Sequence, residues 1–129
     1  DVVSRALNKV GKCLNGSKIL VLGAAYKKDI SDVRESPALK VIDLLKKELA
    51  EVSYHDPYVP VINAVEPYDW AMESVELTAE KLQGYDCVVI VTDHSCLDYE
   101  WIVENAKLIV DTRNATKNVK NNREKIVKI

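Results

Sequence analysis

Short apolar runs alternate with stretches of helical hydrophobic spacing along most of this chain. The clearest apolar runs predict strands at 18–23, 52–55, 87–91 and 108–110. Runs this short and this uniformly hydrophobic are typical of strands covered on both faces of a parallel sheet. Helical spacing predicts helices before and after the first strand and at 99–106. The alternation predicts a single α/β domain, Rossmann-like, with a three-layer, doubly wound, mostly parallel sheet.

The helix after the first strand has a clear start. Ser36 and Pro37 predict its N-cap and first residue, because a serine oxygen accepts an unpaired backbone N–H and proline has none to lose. Its apolar stripe is predicted from Ala38, Val41, Ile42, Leu45 and Leu49. Residues 24–35, a connection of twelve residues, separate strand and helix. Such connections usually need about two to six residues, and surplus length is usually functional.

The remaining segments give weaker signals. Helical spacing at the start of the chain is carried by Val3, Ala6, Leu7, Val10 and Leu14. Three prolines predict an irregular surface excursion at 56–70. Beyond it, we predict a short strand at 74–77, a short helix at 78–83 that ends at Gly84, and an edge strand at 125–129.

Cationic side chains are concentrated in the long connection. Lys27, Lys28 and Arg34 precede a helix N-terminus, whose free N–H groups also favour anions, so a phosphorylated ligand is expected. Ligands of open α/β sheets bind beyond the carboxyl ends of the strands. Polar residues follow the other strands at these positions, namely His55, Asp56, Thr92, Asp93, His94, Asp111, Thr112 and Arg113. We therefore expect one cleft at this edge.

Composition excludes several classes of function. The 129 residues carry a net charge of -2, with a pI near 5.7, which argues against a nucleic-acid surface. No apolar run approaches the roughly 20 residues that span a bilayer. Three cysteines without C-x-x-C spacing fit a reducing compartment, and Cys87 is predicted to be a core residue. We expect a soluble, cytoplasmic protein with neither a nucleic-acid nor a membrane partner.

Four motifs resemble one known family. YKKDISDVRESPA at 26–38, VSYHDPYVP at 52–60, CVVIVTDH at 87–94 and LIVDTRN at 108–114 stand in the order of its C-terminal domain. The family is that of UDP-glucose/GDP-mannose dehydrogenases, whose members oxidise the C6 hydroxyl of a nucleotide sugar to a carboxylate with NAD. The chain is most similar to the branch that acts on UDP-N-acetylhexosamines, the UDP-N-acetylglucosamine and UDP-N-acetylmannosamine dehydrogenases.

The resemblance implies roles for individual residues. Tyr26 and Lys27 match an aromatic-lysine pair that contacts the UDP-sugar, although the family often has phenylalanine at the first position. Arg113 matches a second substrate-contacting arginine, and Arg34 matches an arginine that reaches NAD across the domain boundary. No catalytic residue is implied here, because the family's nucleophilic cysteine belongs to a Gly-rich motif of the central domain.

The resemblance also implies a larger parent enzyme. Residues 1–16 correspond to the end of the helix that links the central and C-terminal domains, and residues 17–129 to the UDP-sugar-binding domain. NAD would lie mainly on the N-terminal domain. That agrees with this sequence, in which Gly23 opens no G-x-G-x-x-G fingerprint. The full-length enzyme is expected to form a homodimer or a larger oligomer, and the isolated domain to be inactive.

Other interpretations remain open at this point. The chain could be a stand-alone nucleotide- or anion-binding regulatory module, or a purely structural domain. Lys28 and Asp29 are more simply solvated charges, and Asp56 before Pro57 is more simply a turn residue. The simplest alternative role for Arg34 is pairing with a neighbouring carboxylate, and Arg113 could pair with Asp111.

A metal site is the least favoured interpretation. Its ligands would have to come from His55, His94 and Asp93. Two histidines without metal-ligand spacing argue against such a site, so no metal is predicted.

Overall fold

The computed structural model describes residues 2–30, 32–33, 36–63 and 67–129. Arg34, predicted to contact NAD, lies outside these ranges. The strands are β1 (Lys18–Leu22), β2 (Glu51–His55), β3 (Val61–Ile62), β4 (Met72–Glu73), β5 (Cys87–Ile90), β6 (Ile109–Asp111) and β7 (Ile126–Lys128). The α-helices are α1 (Val2–Lys9), α2 (Pro37–Lys47), α3 (Ala79–Gly84) and α4 (Tyr99–Asn105). In the described ranges no helix is long and apolar enough to cross a membrane.

A five-stranded sheet with the order β2-β1-β5-β6-β7 forms the centre of the domain. All four pairings in this sheet are parallel. Leu22 at the end of β1 lies opposite His55 and Ile90, and Ile90 lies opposite Asp111. The carboxyl ends of four strands are therefore aligned at one edge. The predicted α/β, Rossmann-like fold is confirmed.

Two hydrophobic clusters cover the two faces of the sheet. Because side chains alternate along a strand, Ile19 and Val21 enter one cluster, and Leu20 and Leu22 enter the other. The first cluster includes buried residues of α1 and α2, namely Val3, Ala6, Leu7, Ala38, Ile42 and Leu45. The second includes buried residues of α3 and α4, namely Leu82, Ile102 and Val103. This arrangement gives the three predicted layers and explains why the strand runs are uniformly apolar.

The predicted apolar stripes of α1 and α2 both extend too far. Helix α2 ends at Lys47, and Leu49 follows it with a φ of 65° and 66% exposure. Val10, beyond the end of α1, is 57% exposed. Helical spacing cannot reveal where a chain leaves the helix when the next position of the stripe is also apolar. The predicted N-cap Ser36 is confirmed, since its side chain accepts the Ala38 N–H.

The segment between β2 and α3 differs from its prediction. It contains a small antiparallel pair, β3 with β4, where irregular structure was expected. Proline does not prevent this, because Pro60 precedes β3 and takes part through its carbonyl, which accepts the Ser74 N–H at 2.9 Å. The strand predicted at 74–77 is also wrong, since β4 ends before it and only Ser74 makes a single bridge, to Tyr54.

Candidate functional site

The long connection after β1 begins at a point of very close contact. Gly23 has a φ of +97°, and a Cβ at this position would lie 2.5 Å from the Cβ of Thr92. Beyond it, Ala24 and Ala25 are buried, and their N–H groups donate to Oδ2 of Asp56 at 2.7 and 3.0 Å. The absence of a side chain at Gly23 therefore allows the end of β1 to lie close to the chain that follows β5. The N–H groups of these two alanines are already bonded within the domain.

Two hydroxyl groups hold the same turn from other sides. Thr92 Oγ1 donates to the Ala25 carbonyl at 2.8 Å, and Ser36 Oγ donates to it at 3.3 Å. Asp56 also accepts the Tyr58 N–H through Oδ1 at 2.8 Å, as expected of a turn residue. Its buried carboxylate thus has a second, structural role that sequence reasoning did not assign.

His94 joins this turn to the next part of the connection. Its buried ring places Nε2 2.8 Å from Asp56 Oδ2, and Nδ1 accepts the Asp29 N–H at 2.7 Å. Asp29 adopts a φ of 64°, a left-handed conformation that aspartate tolerates better than most residues. Asp29 is exposed, as its interpretation as a solvated charge requires, but it also has specific partners. Its carboxylate accepts the N–H and the hydroxyl of Ser95, each at 2.7 Å, and these bonds lower the pKa of Asp29.

A cleft of about 520 Å³ opens at the aligned carboxyl ends of the strands. Lys27 and Lys28 line it from the connection after β1, Asp93 from the end of β5, and Thr112, Arg113, Asn114 and Ile129 from the other side. Two of the predicted substrate-binding residues, Lys27 and Arg113, therefore lie at the same cleft. Asn114 and Ile129 were not predicted, although Asn114 follows Arg113 directly and shares its position after β6.

Tyr26 has a different location from its predicted partners. It is absent from the lining of this cleft and is 43% exposed. The ammonium group of Lys27 lies 5.6 Å from the centroid of its ring, a cation–π distance. The ring and the lysine are thus neighbours, and the ring remains open to solvent.

Arg113 and Asp111 do not form the ion pair that the sequence allowed. Asp111 is buried and accepts the backbone N–H groups of Arg113 (3.0 Å), Ala115 (3.1 Å) and Thr116 (2.9 Å) and the Thr116 hydroxyl (2.6 Å). Burial alone would raise the pKa of Asp111, but these hydrogen bonds outweigh it and hold the pKa below its usual value. The Arg113 guanidinium instead lies 3.8 Å from Asp93, in a partly exposed pair that contributes little stability.

The electrostatics of the cleft favour an anion. Three cations, Lys27, Lys28 and Arg113, face one carboxylate, Asp93. Arginine can hold two oxygens of a phosphate group, and lysine supplies a movable point charge. The arrangement is suited to binding a phosphorylated ligand.

Metal and thiol chemistry find little support in the part of the chain that the structure describes. In those ranges no group of three or more His, Cys, Asp and Glu side chains is placed to hold a metal. Cys87 is a core residue, as predicted, and burial raises the pKa of its thiol to about 12. Cys13 and Cys96 are exposed and reduced.

Known proteins match both the sequence and the fold. Residues 20–118 match the UDP-glucose/GDP-mannose dehydrogenase family, UDP binding domain. A UDP-N-acetyl-D-mannosamine dehydrogenase from Methanococcus vannielii is 35% identical over 105 residues, which cover 75% of this chain and 22% of that protein. A UDP-glucose 6-dehydrogenase from Bacillus subtilis is 32% identical over 119 residues, covering 88% of this chain and 26% of that protein.

A solved structure agrees with these relatives. It is that of an NDP-N-acetyl-D-galactosaminuronic acid dehydrogenase from Methanosarcina mazei, with a TM-score of 0.76 and 29% identity, covering 99% of this chain and 27% of that one. The chain spans about a quarter of the length of each of these three proteins. The match of the family over most of the chain and the agreement in fold lead to one conclusion: the chain belongs to the UDP-glucose/GDP-mannose dehydrogenase family and corresponds to its UDP binding domain.

Proposed function

We propose that this chain is the UDP-sugar-binding C-terminal domain of an NAD-dependent nucleotide-sugar 6-dehydrogenase. The observation that carries the proposal is the cleft at the strand ends, where Lys27 and Arg113 both belong to a net positive lining. A nucleoside diphosphate has the charge that this surface attracts. The family match favours this function over a stand-alone regulatory module.

The parent enzyme would oxidise the C6 hydroxyl of a UDP-hexose to a carboxylate. The oxidation requires two hydride transfers to NAD, and both the nucleophilic cysteine and most of the NAD site would belong to domains outside this chain. Residues 1–16 would be the end of the helix that links them to this domain, and the parent enzyme would be a homodimer or a larger oligomer. The turn after β1 is a poor dinucleotide site, because the N–H groups of Ala24 and Ala25 already donate to Asp56.

Within this division, the described residues bind and orient the substrate. Lys27 and Arg113 would contact the diphosphate, and Tyr26 would stack on the ligand from its exposed position beside Lys27. Arg34 would reach toward NAD across the domain boundary. The names of the relatives include UDP-N-acetyl-D-mannosamine, UDP-glucose and an N-acetyl-D-galactosaminuronic acid. We propose a UDP-N-acetylhexosamine as the substrate class.

Titration of the 129-residue chain with UDP tests the proposal directly. Lys27→Ala and Arg113→Ala should each weaken UDP binding roughly ten- to a hundredfold, since a hydrogen bond to a charged group contributes about 1.5 to 3 kcal/mol. Lys18→Ala is the matched control, because Lys18 stands at the opposite end of β1, near Glu51. UDP binding that is absent, or unchanged in both variants, would contradict the proposal.

Steady-state kinetics of the full-length enzyme distinguish effects on UDP-sugar binding from effects on NAD binding. Lys27→Ala should raise KM for the UDP-sugar and leave KM for NAD nearly unchanged. Arg34→Ala should show the reverse, and Arg34→Lys should recover only part of the NAD affinity, because lysine lacks the planar guanidinium fork. Thermal unfolding of each variant checks that the fold is intact.

A further inference from the structure

The three residues 26–28 are held between two anchors that meet at one buried pair of side chains. On one side, Asp56 Oδ2 accepts the N–H groups of residues 24–25 at 2.7 and 3.0 Å. On the other side, Nδ1 of His94 accepts the Asp29 N–H at 2.7 Å. The two anchors are joined, since Nε2 of His94 lies 2.8 Å from Asp56 Oδ2. One carboxylate and one imidazole therefore hold both ends of the segment that carries Lys27 and Lys28.

The hydrogen bonds determine the protonation state of the ring. A backbone N–H can only donate, so Nδ1 of His94 must be the acceptor of the bond from Asp29. The ring proton is then on Nε2 and is donated to Asp56. The side chains of His94 and Asp56 are both fully buried, so water cannot replace either bond. His94 can hold the Asp29 amide only while its ring is neutral.

We infer that His94 is a positioning residue for UDP binding, whose neutral ring holds the Asp29 amide and thereby places Lys27 and Lys28 at the cleft. This inference rests on the proposed function of the cleft. A proton taken up from solvent adds to the lone pair of Nδ1, and two N–H donors then face each other. The Asp29 carboxylate, with Oδ1 4.0 Å from Nδ1, is the nearby acceptor for the new donor. The backbone of the segment must move to reach that arrangement, and the two lysines move with it.

The groups around His94 favour such a rearrangement. Asp56 and Asp29 face the ring from two different connections, and both carboxylates attract an imidazolium. The Tyr58 ring lies 4.7 Å away between centroids, and the Tyr99 hydroxyl of α4 donates to the His94 carbonyl at 2.9 Å. The Cys96 thiol lies close enough to raise the pKa of both Tyr58 and Tyr99.

Two substitutions of His94 distinguish the effect of its hydrogen-bond acceptor from the effect of its ring volume. His94→Asn supplies an amide oxygen near the place of Nδ1 and does not titrate, whereas His94→Phe keeps the ring volume and has no acceptor. At pH 7.5 we expect His94→Phe to bind UDP roughly tenfold more weakly, as when the competent loop conformation falls to about a tenth of the population. His94→Asn should keep most of the affinity.

The dependence on pH gives a readout that a merely structural residue would not change. Histidine can take up a proton on its acceptor nitrogen and asparagine cannot. As the pH is lowered, the UDP affinity of the wild type should therefore fall more steeply than that of His94→Asn. The difference between the two isolates His94, because phosphate protonation of UDP is common to both. His55→Asn is the matched control, since His55 bonds the Val75 carbonyl and should leave the profile unchanged.

Amide hydrogen exchange of the ligand-free chain tests the loop contact independently of UDP. The Asp29 amide should be protected at neutral pH in the wild type and in His94→Asn, and should lose protection in His94→Phe and in the wild type at acid pH. The chain has only two histidines, so NMR can assign the His94 tautomer directly.

The outcomes are distinguishable. Equal UDP affinity of His94→Phe and wild type, or an Asp29 amide insensitive to His94, overturns the inference. If His94→Phe fails to fold, wild type and His94→Asn are compared across pH, and parallel profiles overturn it. If the wild type binds no UDP at any pH, the proposed function fails and the role of His94 in UDP binding fails with it. Amide hydrogen exchange at Asp29 still decides whether His94 holds residues 26–28 in place.

Discussion

Gly23 shows how much a single backbone position contributes to the site. Its φ of +97° belongs to the left-handed side of conformational space, and a Cβ would meet both the side chain and the backbone of Thr92 within 3 Å. A backbone cannot yield as a flexible side chain does. The turn that presents the cationic segment therefore depends on the absence of one methyl group.

Gly23→Ala should lower the free energy of unfolding by about 2 to 5 kcal/mol. The unfavourable φ accounts for about 1 to 2 kcal/mol and overpacking against Thr92 for about 1 to 3 kcal/mol. Urea denaturation with two control variants checks this. Gly11→Ala has the positive φ with no neighbour within 4 Å and should show only the first contribution, whereas Gly84→Ala has neither and should be nearly neutral. Equal losses in all three variants would show that the contact with Thr92 is unimportant.

Asp111 should make the domain sensitive to acid. Its pKa in the folded state lies below the unfolded value, near 3.8, so its contribution to stability is complete above that pH. The contribution is lost as the pH falls from about 4 toward the folded-state pKa. Asp111→Asn should therefore be less stable by about 2 to 3 kcal/mol at pH 7 and should lose less stability than wild type on acidification.

Denaturant titrations at pH 7 and at pH 3 to 4 measure this difference. Asp69→Asn is the control, because Asp69 is exposed. Its stability should follow that of the wild type at every pH. A slope against pH that is the same in wild type and Asp111→Asn would contradict the assignment.

At the scale of the elements, α2 starts where the cationic connection ends. Ser36 serves both, since its hydroxyl accepts the Ala38 N–H as an N-cap and donates to the Ala25 carbonyl. Thr78 at the start of α3 accepts the Lys81 N–H as an N-cap, and among the described residues its side chain forms no hydrogen bond to a second element. The two caps form a matched pair that differs in one tertiary contact.

Ser36→Ala should cost about 2 kcal/mol of stability and Thr78→Ala about 1 kcal/mol. A lost N-cap typically accounts for about 1 kcal/mol, and the buried bond to Ala25 adds about as much. Thermal or urea unfolding gives both values. In UDP titrations, only Ser36→Ala should weaken binding, because only Ser36 contacts the connection that carries Lys27. Equal effects of the two variants on stability and binding would contradict the double role.

At the scale of the whole molecule, the parallel sheet brings polar side chains from several connections together at one edge. Lys27, Lys28 and Arg113 bring three cations to the cleft at the aligned strand ends. The sequence contains no G-x-G-x-x-G, and the tight turn after β1 uses its N–H groups internally. The chain alone should therefore bind UDP and reduce no NAD when it is given UDP-N-acetylglucosamine, UDP-N-acetylmannosamine or UDP-glucose.

Absorbance at 340 nm measures this directly. The full-length enzyme assayed in parallel is the positive control. Reduction of NAD by the purified 129-residue chain would contradict the proposal that this domain only binds the UDP-sugar and that the reaction needs the other domains.

The sequence by itself determined the order and type of the main elements, and through them the fold. Apolar runs such as Cys87–Ile90 have no hydrophilic face, so they had to be strands covered on both sides. The cap at Ser36 and the strand ends followed from local chemistry. Parallel strands also bring their carboxyl ends to one edge, and the meeting of Lys27 and Arg113 at the cleft was predictable for that reason.

Tertiary structure decided which polar side chains at that edge are free to bind a ligand. Asp56, His94, Asp111 and Arg113 looked alike in sequence, as polar residues after a strand. Asp56, His94 and Asp111 turn inward to backbone N–H groups, while Arg113 remains at the cleft. The partners of Asp111 lie within five residues, but Asp56 and His94 accept N–H groups that lie up to 65 residues away along the chain. No local pattern encodes such a bond, because it depends on how closely two connections approach once the sheet has formed.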